Sequence, residues 1–143
     1  MLEIADVRKR VRRLIEDSRH AAQARRDRAA SAEALGTSVL DAVVAPVFKT
    51  VAVALKAEGY SFRVSTPTGA VRLAAEASAD DFVEVVLDTK RDPPGLIVRV
   101  SRVWGRRVLV DEQVVCEDAA IADLTDDRAL EFLLQALPPF VER

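Results

Sequence analysis

The sequence contains one cysteine, one histidine and five glycines in 143 residues, and each of these scarcities excludes a class of site. The single cysteine, Cys116, cannot form a disulfide within the chain and fits a reducing compartment. One cysteine and one histidine, His20, are too few for a zinc site of thiolates and imidazoles within one chain. A nucleophilic Cys–His pair would require the helix that carries His20 to lie over the strand that carries Cys116. None of the glycines lies in a GxGxxG or GxxxxGK(S/T) pattern, so phosphate-binding loops are absent as motifs.

The carboxylates that stand out as pairs are adjacent in the sequence, and their spacing alone does not form a paired acid and base. Adjacent side chains point to different sides of a strand or helix, so we interpret the acidic pairs as residues of a turn, a strand end and a helix cap. Only a carboxylate cluster assembled by the fold itself could hold magnesium. The sequence therefore predicts no enzyme activity, no cofactor and no metal site. The acidic pairs are Asp80–Asp81, Glu117–Asp118 and Asp126–Asp127.

No segment has the pattern of a signal peptide or of a membrane helix. Glu3 and Asp6 place charges within the first six residues, and no apolar core of the kind found in signal peptides follows. No run reaches the ~20 apolar residues that span a bilayer. We predict a cytoplasmic protein that does not contact membranes.

Apolar residues at helical spacing predict a long N-terminal helix over residues 2–35. Four of them follow the 3-4-3 spacing of a coiled-coil seam, and we predict that this seam is the interface of a homo-oligomer. The seam covers only two heptads, because the next heptad positions hold small or charged residues. Two heptads are too few for a stable zipper on their own. The seam residues are Ile4, Val7, Val11 and Leu14, and the positions that continue it are Ser18, Ala21, Arg25 and Arg28.

A second apolar face predicts a helix over residues 38–57 that lies on a sheet. Gly36 is expected to break or bend the preceding helix, and Thr37 or Ser38 to cap the new one. Pro46 predicts either a kink or the start of a short helix. Glu58 and Gly59 are a plausible helix end.

From Tyr60 onward the apolar period changes to two, which predicts strands. Short turns between the strands indicate an antiparallel meander, with one face covered by helices and the other exposed to water. Thr125 is expected to cap a C-terminal helix. The predicted strands are 60–64, 71–75, 83–87, 96–101 and 108–115, and the predicted wet face carries Arg63, Arg72, Glu84 and Arg99.

These elements together predict an α+β fold. It consists of a long N-terminal helical region that is bent or broken near Gly36, a meander of about five antiparallel strands, and a C-terminal helix. Residues 1–35 form the charged N-terminal helix, an expected oligomerisation arm, and residues 36–143 form a single α+β domain.

The charges are unevenly distributed although the net charge is only −2. Residues 1–30 hold nine Lys/Arg against five Asp/Glu, whereas residues 111–143 hold two against nine. The basic end could therefore attract the acidic end of a neighbouring chain or an anionic partner, although helix surfaces are commonly charged. Trp104 could be an exposed anchor for a partner, but we favour the interpretation that it caps the edge of the core. The expected contacts for an anion or partner are Arg8, Arg12, Arg13, Arg19 and Arg25 on the helix, and Arg99, Arg102, Trp104 and Arg106 around a hairpin.

The function that these patterns favour is a non-enzymatic, homo-oligomeric interaction or scaffold domain whose partner is a copy of itself or another protein. The alternative is a nucleic-acid-associated protein that places the arginines of the N-terminal helix on phosphates. It is less favoured, because acidic residues interrupt the basic helix and no aromatic residue precedes Phe48. A further alternative is a small-ligand binder or enzyme with a pocket between the sheet and the helices.

Overall fold

The computed structural model describes residues 1–142 and has the α+β fold that the sequence predicts. A long helix leads into a five-stranded antiparallel sheet, and short helices close the chain. The helices are α1 (Ile4–Val39), α2 (Ala45–Ala57), α3 (Asp126–Ala136) and α4 (Pro138–Val141), with a π-helical turn at Leu40–Val44 and a 3₁₀ helix at Asp118–Asp123. The strands are β1 (Phe62–Ser65), β2 (Ala70–Ala75), β3 (Ser78–Asp88), β4 (Gly95–Trp104) and β5 (Arg107–Glu117).

The N-terminal helix continues through Gly36, near which a break or a bend was predicted, and ends at Val39. Gly36 is buried inside α1, where a Cβ atom would lie 2.6 Å from Cδ1 of Leu87. The lack of a side chain at Gly36 thus allows α1 to approach Leu87 of β3 closely. Thr37 lies inside α1 and caps no helix.

The irregularity in the helix comes four residues after Gly36, at the π-helical turn Leu40–Val44. This turn precedes Pro46, which stands in the first turn of α2. The helix runs on without a free start before Pro46, and π-helical turns and prolines are the usual causes of such an irregularity inside a helix. The predicted stop after α2 is confirmed: Gly59 has φ +91°, and the N–H of Tyr60 donates to the Leu55 carbonyl at 2.8 Å.

The sheet is a meander in which each strand pairs antiparallel with the next, in the order β1-β2-β3-β4-β5. The predicted strands are all present, and the third begins earlier than expected. Ser78 pairs with Ala75 and belongs to β3, so the turn lies before Ser78 and not at residues 78–80. Gly69 and Gly105 have positive φ in the turns that open β2 and β5.

The core lies between one face of the sheet and the helices α2 and α3. Val44 of the π-helical turn and Phe48 and Val51 of α2 are buried in the same core. Leu73 of β2 and Leu96 of β4 line it from the sheet. The C-terminal segment closes this core, because Phe140 meets Phe62 edge to face with ring centroids 6.2 Å apart. The Tyr60 hydroxyl also donates to the Val141 carbonyl at 3.1 Å. The α3 helix begins as predicted, with the N–H of Arg128 donating to the Thr125 side chain.

The helical stretch Ile4–Ala57 contains a segment of mean hydropathy 1.8, which meets the length and composition criteria for a membrane span. The sequence analysis expected no apolar run long enough to span a bilayer, so this segment was not anticipated. A third of that segment (33%) is buried inside the protein, and core helices of soluble proteins meet the same criteria. By itself the segment is weak evidence for a membrane helix.

Candidate functional site

The first half of α1 projects from the protein, and every residue from Met1 to Ala21 is exposed. We call this segment the arm. Its four predicted seam residues form an apolar stripe in which Ile4 is 80% exposed and Leu14 65%. Val7 and Val11 are 38% and 47% exposed. The remainder of α1 packs on the 3₁₀ helix and on β3 and β4.

The apolar stripe points in the same direction as the side of α1 that packs on the protein. Residues separated by 18 positions lie five turns apart, at ~3.6 residues per turn, and project from the same side of a helix. Ile4, Val11 and Leu14 stand in this relation to Ala22, Ala29 and Ala32. Ala32 is buried, and Ala22 and Ala29 are half-buried. The stripe is therefore the exposed continuation of a packing surface. The predicted division of the chain into an N-terminal helix at residues 1–35 and a domain at residues 36–143 stays a prediction.

The arginines predicted as partner contacts fall into two groups that the fold keeps in different places. Arg8, Arg12, Arg13 and Arg19 lie on the exposed arm, and Arg25 lies just beyond it. The second group surrounds the β4–β5 hairpin or lies on the sheet. It consists of Arg99, Arg102, Trp104 and Arg106.

A cationic cleft of about 300 Å³ lies between α1 and the loop that joins β3 to β4. Arg28 pairs there with Asp92 at 3.1 Å, and both side chains are about half exposed. Arg91 is held at the rim, because it donates to Glu117 at 2.9 Å and to the Pro93 carbonyl at 3.1 Å. Sequence reasoning did not find this cleft, because its two sides are about sixty residues apart in the chain. The cationic lining consists of Arg25, Arg26, Arg28, Lys90 and Arg91.

The face of the sheet away from the helices carries a row of alternating charges. The row runs across four strands at directly paired positions. Glu84 in the middle is only 4% exposed, so the prediction that this residue faces water is wrong. It is buried because two arginines cover it. The row is Arg72–Glu84 at 2.6 Å, Glu84–Arg99 at 3.5 Å and Arg99–Glu112 at 2.9 Å.

The β4–β5 hairpin ends in an exposed tryptophan. Trp104 is 66% exposed, so its interpretation as a core cap is wrong. The Arg102 guanidinium lies 5.7 Å from the centroid of the indole ring. Val108 and Val110 on β5 are 49% and 53% exposed. The hairpin thus presents apolar side chains to solvent as well as cationic ones.

A groove of about 290 Å³ separates α3 from β4 and β5, where Phe132 and Gln135 face Asp111 and Gln113. This is the place where a pocket between sheet and helices was expected. Its side chains form no cluster of nucleophile and base.

The groups with potential chemical reactivity are dispersed. His20 is exposed on the arm, and no hydrogen bond joins it to Cys116 among residues 1–142. Partial burial raises the pKa of the Cys116 thiol, although a hydrogen bond with the Leu96 backbone opposes that rise. Asp81 is buried and accepts a hydrogen bond from the Val103 N–H at 2.8 Å. The part of the chain described here contains no group of three or more His, Cys, Asp or Glu residues arranged to hold a metal ion.

Comparison of the chain with protein-family models, with curated proteins and with solved structures gives no match.

Proposed function

We propose that this chain is a non-enzymatic interaction or scaffold domain that self-associates through its arm. One observation carries the proposal: the apolar stripe of the arm is exposed, although it continues the side of α1 that packs on the protein. An exposed row of apolar residues along a helix is typical of a surface that another helix covers.

The position of the protein body favours antiparallel pairing of two arms. The stripe and the body lie on the same side of α1, so in a parallel pair both bodies would occupy the same space. In an antiparallel pair the bodies lie at opposite ends. Ile4 can then reach Ala21 of the second copy, which is the last residue of the exposed segment. The two helices overlap along about 27 Å in this register, at ~1.5 Å per residue.

The same register gives a plausible seam. Val11 lies opposite Leu14 of the second copy in the two central layers, and Val7 lies opposite Ser18. The outermost layers pair Ile4 with Ala21. The largest side chains therefore meet at the centre, where they are farthest from the ends of the pair.

Charges beside the seam agree with this arrangement. Arg10 lies next to Asp17 of the second copy on one side of the seam, and the two-fold symmetry gives this pair twice. Arg8 lies next to Ile15 on the other side. No two like charges meet. Such exposed pairs contribute little energy, and they mainly select the register.

The arm has a further advantage over a free peptide of its length. A short isolated helix is marginal in water because its first turn is unfavourable to form. In this chain the arm extends a helix whose second half is already folded on the protein, so pairing does not have to nucleate it. A short seam can then suffice for a reversible dimer.

Light scattering or sedimentation over a range of concentrations tests the proposal. Val11→Glu places a carboxylate in a central layer of the seam. We expect this substitution to break the two-fold contact between arms and so to reduce the measured mass of the assembly to about half. Val53→Glu is the matched control, because Val53 is an exposed valine on α2, outside the arm. The proposal is overturned if the unmodified chain is monomeric at all concentrations, or if both variants behave alike.

The second candidate function is nucleic-acid binding, and the cationic cleft is the observation that favours it. The exposed arginines of the arm lead into this cleft along one helix, and such a row could follow phosphates. Binding to unrelated duplexes should then weaken steeply with salt, and the double substitution Arg25→Ala and Arg26→Ala should reduce the salt slope by about two. Absence of binding at low salt would exclude this function.

A further inference from the structure

The last strand of the sheet, β5, forms one of its two edges. Within residues 1–142, β5 pairs with β4 and with no other strand, and it is 11 residues long. Natural edge strands are commonly protected by charged side chains, especially lysine, by proline, by β-bulges or by short length. β5 carries charges at Arg107, Asp111, Glu112 and Glu117. Its one irregularity lies opposite Leu96 and Ile97, outside residues 106–112. β5 has no lysine and no proline, and Val108 and Val110 are about half exposed on it. A strand of this kind is a template for pairing with another strand.

The sequence of this edge is complementary to itself when it is read in the opposite direction. Residues 106–112 read Arg-Arg-Val-Leu-Val-Asp-Glu. Leu109 is the centre, a valine stands on each side of it, and two arginines on one side mirror two carboxylates on the other. Two copies placed antiparallel about Leu109 therefore bring opposite charges together at both ends.

We infer that β5 pairs antiparallel with β5 of a second copy, with the two-fold axis at Leu109. Arg107 then lies opposite Asp111 of the second copy, and Val108 lies opposite Val110. Each of these contacts occurs twice, because the interface is isologous. Arg107 and Asp111 are exposed, and neither forms an ion pair within residues 1–142. The turn residue Arg106 comes next to Glu112 of the second copy.

The backbone of β5 is in the correct phase for this pairing. Trp104 and Arg107 close the two-residue turn that contains Gly105 and Arg106. Hydrogen-bonded and non-bonded pairs alternate along an antiparallel ladder, so the N–H and C=O groups of Val108 and Val110 point to the open edge. These two residues form the hydrogen-bonded pairs of the new ladder. Leu109 and its copy form a non-hydrogen-bonded pair, with Cα atoms about 4.5 Å apart.

Neighbouring registers with the same phase lose this complementarity. An axis at Val110 places Arg107 opposite Gln113 and Val108 opposite Glu112. An axis at Val108 places Asp111 opposite Gly105. Cross-strand pairs of opposite charge and of β-branched residues stabilise a sheet, and apolar–charged pairs do not. The register centred on Leu109 is therefore selected.

The pairing also accounts for the exposed tryptophan. The α3 helix lines a groove beside Asp111 and Gln113, and Asp111 of the second copy lies opposite Arg107. The second copy's α3 would then lie beside the hairpin, next to Trp104. The fluorescence of this single tryptophan should shift to shorter wavelength as the chain associates.

The β5 interface is independent of the arm interface, and neither requires the other. A chain that uses both would assemble beyond a dimer, because two different isologous contacts link each copy to two others. Measurements on β5 are therefore made in the Val11→Glu background, so that a failure of arm pairing does not affect their outcome.

Cysteine cross-linking tests the register directly. In a Cys116→Ala background, Leu109→Cys should form an intermolecular disulfide readily with oxidised glutathione, because the paired Cα atoms lie within disulfide reach. Val108→Cys is the matched control, since its copy would lie about 8 Å away in this register, beyond that reach. Equal cross-linking of the two variants, or none in either, overturns the inference.

Charge reversal tests the same contacts without cross-linking. Arg107→Glu and Asp111→Arg each create like-charge pairs with their own copies, and each should raise the dissociation constant of the dimer about tenfold. An equimolar mixture of the two variants should associate as well as the parent chain, because Glu at 107 then meets Arg at 111. This recovery also shows that both variants fold. A mixture that associates no better than its components overturns the inference.

Discussion

Glu84 lies 2.6 Å from Arg72 at directly paired positions of β3 and β2, and its carboxylate is almost wholly buried on the face of the sheet away from α2 and α3. Arg99 approaches the same carboxylate from β4 at 3.5 Å. Arg72 also lies over the Phe82 ring, 3.9 Å from its centroid. The outer face of the sheet is therefore organised around one acidic residue that joins three strands.

Loss of this carboxylate should destabilise the fold. We expect Glu84→Ala to lower the free energy of unfolding by about 2 kcal/mol, less than for a fully buried pair, because both arginines can still reach water. Denaturant unfolding measures the change. The control is Glu112→Ala at the exposed end of the row, for which we expect a change within about 0.5 kcal/mol. Equal effects of the two substitutions would show that burial of Glu84 does not matter.

Gly36 should not accept a larger side chain, because Leu87 occupies the space that a Cβ would need. A residue other than glycine gains up to about 1 kcal/mol in helix propensity, whereas overpacking a core contact costs about 1–3 kcal/mol. We expect Gly36→Val to lower the midpoint of thermal unfolding, with a net loss of about 1 kcal/mol. Thr37→Val is the control, because Thr37 is exposed one residue further along the same helix. A neutral Gly36→Val variant would mean that Leu87 moves aside without loss.

The direction of arm pairing can be read from a charge exchange. In the antiparallel register Arg10→Glu faces Asp17 of the second copy, and we expect the dissociation constant of the arm dimer to rise about tenfold. Adding Asp17→Arg to the same chain should restore association. Sedimentation in an Arg107→Glu background isolates this interface from β5. In a parallel pair Arg10 would lie beside Ile15, and Arg8→Glu, facing Glu3, would be the disruptive change instead.

Cys116 should react slowly with alkylating reagents at neutral pH. Burial raises the pKa of its thiol, so less of the nucleophilic thiolate is present than in the unfolded chain. We expect alkylation by iodoacetamide, followed by intact mass, to be at least about tenfold slower than in denaturant. Equal rates in the folded and unfolded chain would contradict this.

The same shift makes stability depend on pH in the alkaline range. Because the folded-state pKa of Cys116 is raised, the stabilisation is complete below the ordinary pKa of a thiol and is lost as pH rises through the raised value. Cys116→Ala should remove this part of the alkaline decline in the free energy of unfolding. A decline of the same size in the variant would assign it to other groups.

Local patterns were sufficient to predict most elements of the fold. The change of apolar period from helical to alternating at Tyr60 located the first strand within two residues, and Thr125 located the start of α3. The apolar stripe of the arm was also recognised from spacing alone, and its role as an oligomer seam stays a prediction. The sequence could not show that this stripe is exposed, because a helix with the same apolar spacing could also have packed on the protein's own sheet.

The errors have a common cause in contacts between distant parts of the chain. Gly36 was interpreted from its low helix propensity, but its neighbour across the fold, Leu87, decides its role. Glu84 was assigned to water from alternation, but Arg72 and Arg99 cover it from the adjacent strands. Trp104 was interpreted as a cap on the edge of the core, although it is 66% exposed at the end of the hairpin.

The sequence by itself therefore determined the order and type of the elements, because helices and strands follow from residue spacing and turn residues within short windows. Only the tertiary structure decided which apolar residues remain uncovered and which charge is buried. These properties depend on what lies opposite a residue, and that neighbour is set by packing between segments far apart in the chain. The self-complementary pattern of residues 106–112 is visible in the sequence alone. It can act in pairing only because the fold places β5 at an open edge of the sheet.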